Sequence, residues 1–269
     1  MSEGPWGAGP AIMGVLNATH DSFSGDGLGD DLDALVARGR EHVRDGATIL
    51  DVGAQSTHPR AAPVGANAEL AQAIPAVERL VAEVGVVVSI DTTEPHVADA
   101  ALAAGARIVN DVSGLRDIQI ATIAARHDAW LVVTDNGWTR PLDPTSRPAD
   151  AVAARLRQLV ADAVAVGMDP ARVIVDPGLG FGKAVAVSLA LLRETARLRD
   201  QLRPHLLLVG PSRKGFIGTT LGLDVGDRLE GTLACVAVAV AGGADIVRVH
   251  DVRPASRVIR MAAAIRGGD

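Results

Sequence analysis

The chain has 269 residues, 48% hydrophobic and 22% charged, which is ample material for a core in one large domain or two small ones. A net charge of -6, aromatics at only 2% and no tyrosine argue against a nucleic-acid partner, which needs basic patches and stacking rings. A single cysteine, Cys235, excludes an internal disulfide and a thiolate metal cluster.

Short β-like runs recur along the chain, at 11–16, 48–52, 86–90, 108–109, 130–133, 173–175, 206–209 and 246–249. Most are continuously apolar instead of alternating, as parallel strands covered on both faces should be. Segments rich in Ala, Leu and Arg with helical spacing lie between them, at 32–44, 69–84, 95–104, 118–126, 148–166, 189–201 and 229–241, and a last one at 255–265 follows the final strand. Gly46, Gly105 and Gly167 stand where helices should stop. Strands and helices in strict alternation predict an α/β chain folded as one (β/α)8 TIM barrel over 11–269, with 1–10 as an N-terminal extension. A doubly wound sheet is the alternative, because periodicity does not show closure.

The strand ends carry the polar residues. Asn17 follows the first run, Asp51 lies at the second, Asp91 follows the third, and Asn110-Asp111 follow the fourth. Thr134-Asp135 follow the fifth, Asp176 the sixth and Ser212-Arg213-Lys214 the seventh, while Arg248 and His250 end the eighth. In a barrel all of these converge on the carboxyl-terminal face, where active sites are built. Acids and amides from the third, fourth and sixth strands suit the hydrogen-bonding edge of a flat nitrogen-rich ring. Cations from the seventh and eighth suit a phosphate, although Arg213 and Arg248 also fit structural ion pairs.

One stretch organises the rest. Val173-Ile174-Val175-Asp176 runs into Pro177-Gly178-Leu179-Gly180-Phe181-Gly182-Lys183. Pro-Gly stops the strand at once, so Asp176 is held at its carboxyl end, and three glycines let backbone approach a ligand. It is not a Walker loop, which needs glycine at Pro177 and Ser or Thr at Ala184. Its glycine spacing does not fit a dinucleotide fingerprint either. Residues 18–30 and 55–65 are long enough to be lids above a barrel mouth.

Together these motifs make the chain resemble the dihydropteroate synthase family, the pterin-binding barrels of folate biosynthesis that sulfonamides inhibit. The matching stretches are 13–24, 51–59, 89–92, 110–114, 176–183, 212–214 and 248–252, in the family's order. The resemblance implies condensation of 6-hydroxymethyl-7,8-dihydropterin pyrophosphate with 4-aminobenzoate and release of pyrophosphate, with Mg2+ as cofactor. It places Asp91, Asn110, Asp176 and Lys214 on the pterin, and Asn17 on Mg2+ and the pyrophosphate together with Arg248 and His250. Thr57 and His58 go to the second lid and Phe181 to the aminobenzoate side. It also implies a homodimer. The expected location is cytoplasmic, with no membrane partner. No apolar run reaches spanning length without a glycine or charge, and residues 1–10 lack signal-peptide regions.

Departures from the family pattern gather beside the ring and in the lids. His58 stands where the family has arginine, Arg60 where it has glycine, and Thr134-Asp135 where it often has Met-His. Two alternatives use the same barrel. One is a paralogue that binds pterin but takes another amine or turns over weakly. The other is a pterin-binding methyltransferase-type or non-catalytic protein. The latter does not call for Ser212-Arg213-Lys214 together with Arg248-Val249-His250, because its ligand carries no pyrophosphate.

Overall fold

The structure is a computed structural model that describes residues 4, 6–7, 9–18, 31–54, 65–138, 142–143 and 146–267. Eight parallel strands close into a barrel in sequence order. They are β1 (Ala11–Asn17), β2 (Ile49–Gly53), β3 (Val87–Asp91), β4 (Ile108–Asp111), β5 (Trp130–Thr134), β6 (Val173–Asp176), β7 (Leu206–Val209) and β8 (Ile246–Val249). β8 pairs back onto β1, with Ala11 opposite Ile246 and Gly14 opposite Val249, so the barrel has no open edge. The architecture is the (β/α)8 barrel that the alternation predicts, and a doubly wound sheet is excluded.

Two apolar layers explain why the strands read as continuous apolar runs. Met13, Ile49, Ile108, Val132, Ile174, Leu206, Leu208 and Ile246 fill the barrel interior. Leu16, Leu50, Val52, Ile90, Val109, Leu131, Val133, Val175, Val209 and Val247 face the other way and pack under the helices. Side chains alternate along a strand, so the inward positions are fixed by the first set. Continued toward the carboxyl ends, the inward positions become Asn17, Asp51, Ser89, Asp91, Asn110, Thr134, Asp176, Arg248 and His250. The interior therefore changes from oily to polar along the barrel axis.

The helices are α1 (Leu32–Arg44), α2 (Ala66–Glu83), α3 (Pro95–Ala103), α4 (Gln119–Arg126), α5 (Pro148–Ala165), α6 (Val185–Arg193), α7 (Thr195–Leu202), α8 (Gly215–Leu221), α9 (Leu229–Ala241) and α10 (Val252–Arg266). Gly46, Gly105 and Gly167 take φ of 111°, 105° and 106° just past α1, α3 and α5, a region open to glycine. The single helix expected at 189–201 is two, α6 and α7. Glu194 leaves the helical region at ψ 21°, and the Thr195 hydroxyl donates to the Leu192 carbonyl at 2.7 Å, satisfying the helix end. α8 was not expected, because its seven residues include two glycines and two threonines, all poor helix formers. α10 begins before Pro254, which falls in its first turn, where no intrahelical donor is lost.

Candidate active site

Asp176 ends β6 on the inward side and is buried. Its Oδ1 accepts from the Gly178 backbone N–H at 2.7 Å, while burial pushes its pKa above the usual carboxylate value. The turn behind it requires glycine at two points. A Cβ on Gly178 would lie 2.1 Å from the Asp135 carbonyl oxygen, and one on Gly182 would lie 2.3 Å from the Trp138 nitrogen. Both positions have positive φ, 66° and 62°.

Lys183 clamps this turn. Its Nζ donates to the carbonyl oxygens of Asp135 and Gly178 and pairs with the Asp135 carboxylate at 3.0 Å, with its side chain 1% exposed. Asp135 is paired in turn by Arg155 at 2.7 Å. Burial lowers the Lys183 pKa, but three oxygens around the ammonium favour its charged form. Neither Lys183 nor Asp135 has a role in the sequence reading. The terminal lysine of the glycine turn was the available signal.

A second network crosses the barrel mouth. The Arg248 Nε reaches Asp51 Oδ2 and its Nη2 reaches Asp91 Oδ2, both at 2.6 Å, and Asn110 Nδ2 donates to the same Asp51 oxygen at 3.0 Å. Two acids share one guanidinium here. Burial, with Asp51 close by, pushes the Asp91 pKa up to about 7 despite the opposing pull of Arg248. Asp51 Oδ1, Asp91 Oδ1, Ser89 Oγ and Thr134 Oγ1 are buried without a hydrogen-bond partner. All four belong to inward positions at the polar end, a concentration of unsatisfied groups that ordinary cores avoid.

Lys214 follows β7 and stands directly before α8. Its Nζ sits 3.6 Å from the centroid of the Phe181 ring, a cation–π contact. Burial, together with the nearby Arg248, lowers its pKa to about 8, while Asp176 and Asp91 pull the other way. Arg213, the middle residue of the triplet, points elsewhere. It pairs with Asp251 at 3.0 and 3.2 Å and has φ 57°, an ion pair that anchors the start of α10. Ser212 Oγ meets His250 Nδ1 at 2.9 Å and its backbone N–H at 3.2 Å, which orients the ring. Asp111, next to Asn110, faces outward and caps its own turn by accepting from Ser113 and Leu115 N–H groups at 2.8 and 2.7 Å.

The expected site residues Asp91, Asn110, Asp176, Phe181, Lys214, Arg248, His250 and Asn17 thus all stand at the carboxyl-terminal end of the barrel. Thr57 and His58 lie outside the described residues, as does Arg60.

The model of the family described as pterin binding enzyme matches residues 13–250. The chain belongs to the pterin-binding enzyme family. A dihydropteroate synthase of Bacillus subtilis is 39% identical over 260 residues, covering 96% of this chain and 90% of its own. Among solved structures of the family, the Clostridium difficile dihydropteroate synthase in the presence of pteroic acid superposes with a TM-score of 0.89 at 34% identity. It covers 98% of this chain and 99% of its own. The Xanthomonas albilineans dihydropteroate synthase with 4-aminobenzoic acid gives 0.89 at 34% identity, covering 97% and 94%.

Proposed function

We infer that this transferase condenses 6-hydroxymethyl-7,8-dihydropterin pyrophosphate with 4-aminobenzoate, releasing pyrophosphate and forming dihydropteroate. The observation that carries the reading is the collection of buried acids, amide and orphaned polar atoms at the barrel mouth of a chain similar to dihydropteroate synthases over almost its whole length. One solved relative of the same fold is described in the presence of pteroic acid and another with 4-aminobenzoic acid, the joined and the single form of the second substrate.

In this reading Asp91, Asn110 and Asp176 take the hydrogen-bonding edge of the pterin, and Lys214 lies against the ring. Arg248 and His250 face the pyrophosphate. The C–O bond to the pyrophosphate breaks, and positive charge develops on the pterin methylene. Acids around the ring stabilise that charge, and the cations stabilise the leaving group. The aniline nitrogen then forms the C–N bond and gives up a proton. For Arg248 this means exchanging part of its bond to Asp51 or Asp91 for phosphate oxygens, which a planar five-donor fork can do.

Mg2+ fits the donor set. Asn17 supplies a carbonyl oxygen at the inward end of β1, and magnesium is usually held by few side chains together with substrate phosphates and water. The described residues include no group of three acidic, histidine or cysteine side chains suited to a metal. When bound, Mg2+ neutralises pyrophosphate charge.

A second copy of the chain is the expected partner. Exposed Val238 on α9, and Met261 and Ile265 on α10, give it apolar surface to cover, and light scattering on purified protein tests this. No helix among the described residues is long and apolar enough to cross a membrane.

The test is product analysis with labelled 4-aminobenzoate. Label in dihydropteroate supports the reading. Pterin binding with no labelled product would favour a paralogue that takes another amine.

A further inference from the structure

The chain has only three tryptophans, three phenylalanines and no tyrosine. Trp6 and Trp130 pack on each other at 5.1 Å where β5 begins, at the opposite end of the barrel from the acids. Phe216 is buried in α8. Phe181 and Trp138 remain as the described aromatics at the carboxyl-terminal mouth, and they touch edge to face, with centroids 5.5 Å apart and planes at 85°.

The two rings differ in exposure. Phe181 is 7% exposed and carries the Lys214 ammonium on its ring, whereas Trp138 is 48% exposed. Lys214, Phe181 and Trp138 therefore form a line of contacts from the acid pocket outward. A half-open indole would be unremarkable on a loose loop. Here it is fixed. The Trp138 backbone N–H donates to Asn136 Oδ1 at 2.9 Å, and Asn136 Nδ2 donates to the Val112 carbonyl oxygen at 2.8 Å. Gly137 N–H donates to the Phe181 carbonyl oxygen at 3.0 Å, and Gly182 is pressed so close to Trp138 that no Cβ fits between them. Two turns are thus locked together, and they hold a flat apolar surface open beside the pocket. A rigid aromatic presented this way binds a flat ring with little loss of side-chain freedom.

We propose that Trp138 is a specificity-determining residue for the arylamine, its indole forming the outer wall on which the benzoate ring rests while the amine reaches the pterin methylene. The proposal rests on the function inferred above. It adds to that reading a residue in the connection after β5, outside every motif that carries the family resemblance.

The experiment measures steady-state turnover of the wild type and of the Trp138→Ala, Trp138→Phe and Trp138→Leu variants, varying each substrate in turn. In Trp138→Ala the KM for 4-aminobenzoate should rise about tenfold, or about 1.4 kcal/mol, near what a lost ring–ring contact removes. The KM for the pterin pyrophosphate should hold, and kcat should change much less than the amine KM. Trp138→Phe should restore most of the amine affinity, and Trp138→Leu should not, because bulk without a flat ring is insufficient. An unchanged amine KM in Trp138→Ala overturns the proposal, as does full rescue by leucine, which would make the indole a mere prop for Phe181. A wild type that makes no dihydropteroate overturns the function inferred above and this proposal with it, whereas turnover with an indifferent Trp138 overturns the proposal alone.

Discussion

Asp91 and Arg248 lie 157 positions apart in sequence yet meet at 2.6 Å, and Asp51, 197 positions from Arg248, joins the same guanidinium. Burial lifts the Asp91 pKa from 3.8 to about 7, so this group has a readable pH signature. A carboxyl whose folded pKa is raised contributes stability that is fully present below its unfolded value and is lost as pH rises through the folded one. The protein without ligand should therefore lose stability between about pH 4 and pH 7 through this residue. Asp91→Asn should flatten that part of the profile, and chemical unfolding across the range checks it; parallel profiles for the two proteins would contradict the assignment. Lys214 has the opposite displacement, down to about 8. Raising pH through about 8 removes its charge, so affinity for the pyrophosphate-bearing pterin should fall there, and in Lys214→Met calorimetry should find that step missing. That Asp176, Asp91 and Asn110 gather at the barrel mouth was legible because each ends an apolar run. The Arg248 bridge was not, since no local pattern records which distant acids a guanidinium will meet. Arg213 shows the converse: it sits between Ser212 and Lys214 in sequence, but its φ of 57° and its Asp251 pair turn it away from the barrel mouth.

At the scale of elements, the glycine turn after β6 depends on the Lys183 clamp. Removing the ammonium takes the lysine donor from the Asp135 carbonyl oxygen, leaves the Gly178 carbonyl oxygen with the Phe181 N–H, and leaves the Asp135 carboxylate with Arg155. Breaking a buried pair by removing one partner costs about 3–5 kcal/mol. Because Arg155 remains, Lys183→Met should destabilise by about 3 kcal/mol, the low end of that range. Urea unfolding measures this, and a loss below about 1 kcal/mol, the scale of an exposed pair, would show the clamp to be dispensable. Strand positions were legible to within two residues because β-branched runs end sharply at Pro, Gly or acids. The helix break at Glu194 and the short α8 were not. The first depends on the Thr195 side chain, and the second on packing of Phe216 and Ile217 that overrides a glycine-rich sequence.

At the scale of the molecule, closure itself was inferred from alternation and needed the β1–β8 pairing to exclude an open sheet. Once closed, the barrel brings polar side chains from well-separated segments to one end, and its interior passes from Met13, Val132 and Ile174 to Asp51, Asp91 and Asp176. That gradient is why one face takes a polar heterocycle while the rest is core. The central claim is that this face joins the pterin methylene to an aryl nitrogen and expels pyrophosphate. It is tested most directly by following pyrophosphate release from 6-hydroxymethyl-7,8-dihydropterin pyrophosphate with Mg2+, with and without 4-aminobenzoate. The account predicts that release depends on the amine and is matched mole for mole by dihydropteroate. Bound pterin with no pyrophosphate released in the presence of the amine, or release that yields no dihydropteroate, would contradict it.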